Sequence, residues 1–405
     1  MSQLPLSGLR VLDLSTVIFG PYAAQWLGDF GAEVIKVEAP GGDSTRRLGP
    51  SLEPDMAAGF LGSNRNKQSI GLDLKTQEGR EALGRLVATA DVFLHNMRPQ
   101  KIAALGFDAE TLCQQHPRLV YASLHGYGEG GPYAGRPAYD DVIQGQSGLA
   151  NLFQLRGGPP AYAPTVMADK TSAVVAAMAV MGALVQRQTT GKGCHVEIPM
   201  FETMVSFNFV EHMFGAHFTP PASDPGYTRM LAAWRRPYPT ADGFVSMLPY
   251  TDAQWRAFFT AAGEPQLATD PRFTDLAART THIIDLYAEA ARIAAKQTTA
   301  YWLAFGLEHQ IPMAPVNTLK DLPQDPHLTA VGLFAALQDE RMGRVNFAGV
   351  PVKFDGARPP VQMPPRLGEH TQSILTSLGY SAQDVERLCQ TGATFTSPHL
   401  TPKQP

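Results

Sequence analysis

The stretch Leu9–Glu38, LRVLDLSTVIFGPYAAQWLGDFGAEVIKVE, decides the fold. Leu9–Leu14 (LRVLDL) is a short apolar run of strand length and reads as a buried strand. Gly20-Pro21 opens a helical stretch that ends near Gly31; proline suits a first helical turn, where its missing N–H has no partner to lose. Ala32–Glu38 (AEVIKVE) alternates like a second strand. The theme repeats downstream. Gln68–Leu74 is a strand followed by a helix from Thr76 to about Ala90, and Asp91–His95 and Arg118–Leu124 are further strands. Such a βαβ series predicts an α/β fold with a mostly parallel sheet and helices around it.

Beyond it, Asp169–Gln188 reads as one long helix, apolar nearly all round as a buried helix is, and Thr189–Gly193 (TTGKG) stops it. Cys194–Met200 returns as a strand and Phe201–Phe218 as a helix. The Pro-rich Thr219–Tyr227 then marks a linker. Residues 225–325, with a strand at Gly243–Leu248 and helices at Asp252–Gly263 and over much of His282–Gln310, read as a smaller, mainly helical α+β domain. Strands at Val345–Phe354 and helices at Gln372–Leu378 and from Ser381, where S-A-Q-D supplies a capping box, belong to a C-terminal segment 330–405.

The 405 residues are 44% hydrophobic and 17% charged, which excludes wholesale disorder. The net charge of −4 argues against nucleic acid as a general partner. Three cysteines make no CxxC pair and fit a reducing compartment. The first residues show no signal-peptide pattern, and the apolar run Ala173–Val185 is shorter than a membrane span. The expectation is a cytoplasmic protein with no membrane partner.

Chemistry-bearing motifs are few. Gly126–Gly131 (GYGEGG) satisfies G-x-G-x-x-G after a strand, but Pro132 follows at once and no helix starts in register, so a nicotinamide site is a distant alternative. No HExxH or CxxC occurs, so no metal site is expected, and no G-x-S-x-G offers a serine nucleophile. Asp169 opens the long apolar helix. It is either an N-cap or a carboxylate nucleophile whose anion the helix N-terminus favours. Arg46, Arg47, Arg65, Lys67, Lys75, Arg98 and Lys101 cluster after strand ends, either as a solvated surface or as ligands for a phosphate-rich molecule.

Many segments together resemble one family. They are Gly8–Ser15 with Gly20-Pro21, Ala32–Glu38, Gly42–Arg46, Asn66–Lys75, Asn96–Pro99, Leu105–Phe107, Ala122–Gly128, Tyr139-Asp140, Ala168-Asp169, Thr190–Gly193 and Leu367–Thr371. The chain is similar, nearly end to end, to class III CoA-transferases, the group of formyl-CoA and carnitine-CoA transferases, which also includes α-methylacyl-CoA racemase. The resemblance implies a Rossmann-like large domain built from residues 1–220 and the returning C-terminal segment, in an interlocked homodimer. It implies transfer of CoA between carboxylic acids through an aspartyl-CoA thioester on Asp169, with CoA thioesters as substrates and no tightly bound cofactor. By motif, CoA contacts would come from Val17, Phe19, Leu72, Asp73, Lys75, Asn96, Met97, Arg98, Lys101, Tyr139 and Asp140. The N–H groups of Gly126–Gly131, Gly128 included, would meet the oxyanion. Tyr139 would meet the acid substrate. Arg229, Arg235 and Arg236, in Tyr227–Pro237, enter the small domain and either hold the distal carboxylate of a dicarboxylic acid or form a charged domain surface.

Departures narrow this. Val17 stands where formyl-CoA transferases carry Gln, and their glycine-rich loop before the small domain is missing, so formate and oxalate fit poorly. A dicarboxylic or branched short-chain acid fits better. Ala39 and Ala104 replace arginines that bind CoA in relatives. Tyr139 replaces the acid/base His of the racemases, and a phenol with pKa near ~10 is a weak base at neutral pH, so racemisation is the alternative within the fold. An acyl-CoA-binding protein without catalysis is a third reading.

Overall fold

The computed structural model describes residues 3–396. The chain divides into two compact units. One comprises residues 1–147, 163–206 and 329–405, the other residues 148–162 and 207–328. The first unit carries a seven-stranded sheet. Its first six strands in chain order are β1 (Arg10–Asp13), β2 (Glu33–Glu38), β3 (Lys67–Leu72), β4 (Val92–His95), β5 (Val120–His125) and β6 (His195–Pro199). They run parallel in the spatial order β3-β2-β1-β4-β5-β6, and Thr394–Phe395 adds an antiparallel edge beside β3. Reversal of direction at β1/β4 is the kind of switch point where α/β sheets bind ligands.

Local chemistry explains the turns that feed this sheet. Gly20 lies in the helix Phe19–Asp29, and a Cβ there would come 2.2 Å from the Cβ of Ser15, so the β1 turn folds back only over glycine. Thr76 accepts the N–H of Gly79 at 3.0 Å and starts the helix Gln77–Val87. The long helix is Met167–Thr190, closed by left-handed Gly191. Leu12, Ile35, Ile70, Phe93 and Tyr121 from successive strands pack with Leu83, Leu86, Leu375 and Leu388 into one core. The capping box expected at Ser381 forms with Asp384.

As expected, Gly126–Gly131 is a loop, and the next helix starts only at Asp140. Several other elements differ from expectation. Phe201–Phe218 is a helix Met200–His212 followed by a 3-10 turn Phe214–His217. Val345–Phe354 contains one strand, Gly343–Ala348, paired antiparallel with Phe334–Asp339. By length and composition the helix Met167–Thr190 could cross a membrane, so the shorter run noted in the sequence understates it. Half of its most apolar window is buried.

The second unit holds a three-stranded antiparallel sheet of Tyr238–Pro239, Phe244–Met247 and Met313–Pro315. The helices Asp252–Ala261, Ile283–Ala294 and Thr299–Glu308 pack through Trp255, Phe258, Tyr287 and Trp302. Thr298 caps the last of these, accepting the N–H of Tyr301, and so splits the helical stretch expected over His282–Gln310.

Candidate active site

A cavity of about 850 Å³ lies in the first unit, at the carboxyl ends of β1 to β5. The turn after β1 is held from three sides. Thr16 and Asn96 exchange two hydrogen bonds, Thr16 N to Asn96 Oδ1 at 3.0 Å and Asn96 Nδ2 to Thr16 O at 2.8 Å. Lys36 Nζ donates to the carbonyl of Ser15 at 2.8 Å. Val17 N donates to Asp43 Oδ1 at 3.3 Å, and Val17 itself is left-handed, with φ of 73°. A β-branched residue rarely adopts that conformation, so the surrounding bonds hold the turn against a local cost of roughly 1–2 kcal/mol.

Below this turn lies a buried charge lattice. Lys67 Nζ donates to Asp13 Oδ2, Asn64 Oδ1 and Pro21 O, each at 2.8 Å. Lys36 Nζ stands 3.0 Å from Asp43 Oδ2, an ion-pair contact rather than an aligned hydrogen bond. Arg46 grips Glu38 through Nε at 2.8 Å and Nη2 at 2.5 Å, with its guanidinium over the Phe60 ring. Burial works against ionising all three carboxyls, but Lys67 and Lys36 lower Asp13, Lys36 lowers Asp43 and Arg46 lowers Glu38. Burial pushes Lys67 down to about 8, which leaves it a cation at neutral pH against Asp13.

Asp169 is built differently. The N-cap of its helix is Val166, with no side-chain cap, so the N-cap reading of Asp169 falls and its carboxylate stands free in the first turn. It is 8% exposed and lines the cavity. No cation pairs with it among the described residues. Its nearest charge is another carboxylate, Asp140, whose Oδ1 accepts the Asp169 N–H at 3.0 Å. Gln144 anchors Asp140, donating from Nε2 to Oδ2 at 2.5 Å and accepting the N–H of Ala163 at 2.9 Å. Burial first, and the Asp140 charge second, push the Asp169 carboxyl up to about 7. A carboxylate at that value is half ionised near neutrality and more basic than an exposed one.

Among the residues singled out in the sequence, Asp169, Val17, Phe19, Leu72, Asp73, Lys75, Asn96, Met97, Arg98, Lys101 and Tyr139 meet in this cavity. Asp140 stands behind it, bonded to the Asp169 backbone. Gly128 is outside the lining, and its N–H is taken by Glu202 Oε1 at 2.9 Å; the N–H of Glu129 is likewise taken by Glu197. These two amides are therefore spent. Arg235 and Arg236 belong to the second unit. Sequence reasoning missed Lys36, Glu38, Asp43, His125 and Arg136 in the lining. Lys36 and Glu38 carried a signal: a parallel strand is buried on both faces, so charges inside AEVIKVE need buried partners. Against the expectation of no metal site, His125, Glu129 and Glu197 place ligand-type atoms within 4.8 Å of one another.

A mostly parallel α/β sheet whose strand-end cavity is lined by a buried carboxylate and by Lys75, Arg98, Lys101 and Arg136 is an α/β fold with a ligand site at its strand ends. Comparison then fixes the family. Residues 6–371 match the family described as CoA-transferase family III. The chain is 30% identical to Escherichia coli formyl-CoA:oxalate CoA-transferase, over 96% of this chain and 99% of that one. Its fold is similar to a CAIB/BAIF family protein from Brucella suis (TM-score 0.78, 32% identity, 93% of this chain and 100% of that) and to Mycobacterium tuberculosis Rv3272 (TM-score 0.78, 29% identity, 92% and 99%). The chain belongs to CoA-transferase family III and is a CoA-transferase, with CoA thioesters as its substrates.

Proposed function

We propose that Asp169 is the nucleophile that carries CoA from an acyl-CoA to a free carboxylic acid. The observation that carries this reading is the carboxylate itself, buried, without a cation and raised to about 7. Removing water and cationic partners keeps a carboxylate reactive, because nucleophilicity rises with basicity and falls with solvation. Asp169 Oδ attacks the thioester carbonyl and CoA leaves as thiolate, giving an acyl-aspartyl anhydride. The retained thiolate attacks the aspartyl carbonyl and expels the first acid, leaving an aspartyl-CoA thioester. The second acid reverses both steps. One thioester replaces another, so the exchange is nearly balanced in energy. CoA stays bound throughout, which takes contacts remote from the reacting bond.

Lys75, Arg98 and Lys101 hold the CoA phosphates as charge-assisted partners, and Val17, Phe19, Leu72, Asp73, Asn96, Met97 and Tyr139 shape the cavity around the rest. Ala39 and Ala104 also line it, and Arg136 supplies a cation there in place of the arginines the two alanines lack. The acceptor is a dicarboxylic or branched short-chain acid; apolar Val17 at the turn supports an acyl group larger than formyl. Two copies form an interlocked homodimer. Val174, Met178 and Val185 on the long helix are exposed in the single chain, and a second copy rather than a membrane covers them. The first unit serves CoA binding and the second acid binding, residues 148–162 and 207–220 lying with the second rather than with the large domain expected over 1–220, in a cytoplasmic enzyme.

Intact-protein mass spectrometry tests the central step. After incubation with a pool of acyl-CoAs and an acid quench, a CoA-thioester mass increase mapped to Asp169 is expected. No adduct, with deuterium entering the acyl α-carbon, would replace transfer by racemisation.

A further inference from the structure

The second unit contains a cation cluster that the site above does not use. Arg229 Nε and Arg235 Nη1 both donate to the hydroxyl of Tyr287, each at 2.8 Å. Tyr287 is buried at 1% exposure, so both guanidinium groups converge on one fixed hydroxyl oxygen. Arg156 joins them, donating from Nη2 to the carbonyl of Arg235 at 2.9 Å. None of these three arginines forms an ion pair with an acid among the described residues, whereas Arg272, Arg279 and Arg292 in the same unit all do. Like charges held together without an acid raise the energy of the free protein and lower it when an anion arrives.

The geometry leaves the binding groups available. Arg229 spends only Nε and Arg235 only Nη1, and their other nitrogens are not among the buried atoms lacking partners, so they reach solvent. Ring contacts add to these bonds: the Arg229 guanidinium lies 5.3 Å from the Tyr250 ring and that of Arg235 lies 5.9 Å from the Tyr287 ring. Preset guanidinium forks match the two oxygens of a carboxylate. Arg236, grouped with Arg235 in the sequence, stacks 4.3 Å over Trp234 and takes no part in the convergence.

We propose that Arg229 and Arg235, braced by Tyr287, form a binding site for the carboxylate of a small dicarboxylic acid. The site stands on the second unit alone; the ligand's identity rests on the transferase reading, since that reaction consumes a free acid while the phosphates of CoA already have Lys75, Arg98, Lys101 and Arg136.

Calorimetric titration of the full chain with succinate tests it, with inorganic phosphate as the competing oxyanion. Succinate is expected to bind at one site per chain, at least 10-fold more weakly in Arg229→Met and in Arg235→Met, and not measurably in the double variant. Unchanged succinate binding in folded variants overturns the site, and phosphate binding tighter than succinate overturns the carboxylate assignment. If the variants do not fold, phenylglyoxal labelling of the wild-type chain decides. Succinate should protect Arg229 and Arg235 but not exposed Arg256, and equal labelling of all three overturns the proposal. No turnover enters either measurement, so a missing Asp169 adduct would sink the transferase reading without deciding this one.

Discussion

Two sets of buried carboxylates behave in opposite ways; Glu38, Asp43 and Asp169 line the same cavity and Asp13 lies outside the lining. Asp13, Glu38 and Asp43 are each matched to a cation, at 2.8 Å from Lys67, 2.5 Å from Arg46 and 3.0 Å from Lys36. Their carboxyls lie below the usual range although burial opposes this. Asp169 is equally hidden but faces another acid, and it rises to about 7. Burial is common to all four; the partner sets the sign. Paired acids serve as architecture, because each is held by a partner on another element. An unpaired one costs stability, and such a cost persists where the group is used.

Asp169→Asn is the sharpest way to break that contrast. It should abolish the thioester adduct and lower transfer by at least about 10³-fold in a steady-state assay. It should also stabilise the fold in alkali. A carboxyl raised from 3.8 in the unfolded chain to about 7 in the fold binds its proton more tightly when folded, so stability falls as pH rises between those values. At pH 8 the asparagine variant should gain about 1–4 kcal/mol in urea unfolding, with the gain shrinking toward pH 4. A variant less stable than wild type at pH 8 would mean that Asp169 is structural. Lys67→Met should do the reverse. It strands Asp13 in the core and should cost about 3–5 kcal/mol, read as a lower urea midpoint.

The sequence made one half of this comparison more legible than the other. β1, β4 and β5 announce themselves as short apolar runs of strand length, and β2 through its alternation. Their spatial order depends on pairings between distant segments, which composition does not encode. Lys36 and Glu38 look like the polar side of an alternating strand, yet both are buried, and their partners Asp43 and Arg46 come from the next loop. The short helices Pro99–Ala104 and Ala109–Gln115 are too brief to show a periodic apolar stripe. Asp169 was legible as a residue but not as a role, since aspartate at a helix start is usually a cap. Only the backbone shows Val166 in that position.

Asp140→Asn sharpens the contrast by degree. The amide keeps an oxygen for the Asp169 N–H, gives up the bond from Gln144 at Oδ2, and removes the like charge. The Asp169 carboxyl should move back toward its ordinary range, so the acidic limb of kcat/KM, expected near 7 in the wild type, should shift to lower pH. Transfer at pH 6 should rise several-fold relative to transfer at pH 8, because more of the carboxylate is ionised. An unmoved limb would assign it to another group. Replacing Lys75, Arg98 or Lys101 by alanine should be milder, raising KM for acyl-CoA about 10-fold each with kcat held within a few-fold, and more so at low salt.

Val17 carries the smallest expected effect and tests whether the turn or its side chain matters. Its left-handed backbone is held by Asp43 and by the Thr16–Asn96 exchange, none of which uses the valine side chain. Asparagine tolerates that conformation far better than a β-branched residue. Val17→Asn should therefore stabilise the fold by about 0.5–1 kcal/mol while leaving the turn in place. If the side chain only fills space, KM for acyl-CoA should change less than about 3-fold. If it selects the acyl group, the variant should gain on small polar acyl-CoAs and lose on branched ones, a change in the ratio of kcat/KM rather than in its size. A loss of stability instead would mean that packing of the half-buried valine outweighs its backbone strain, and the turn would then belong with the paired acids as architecture.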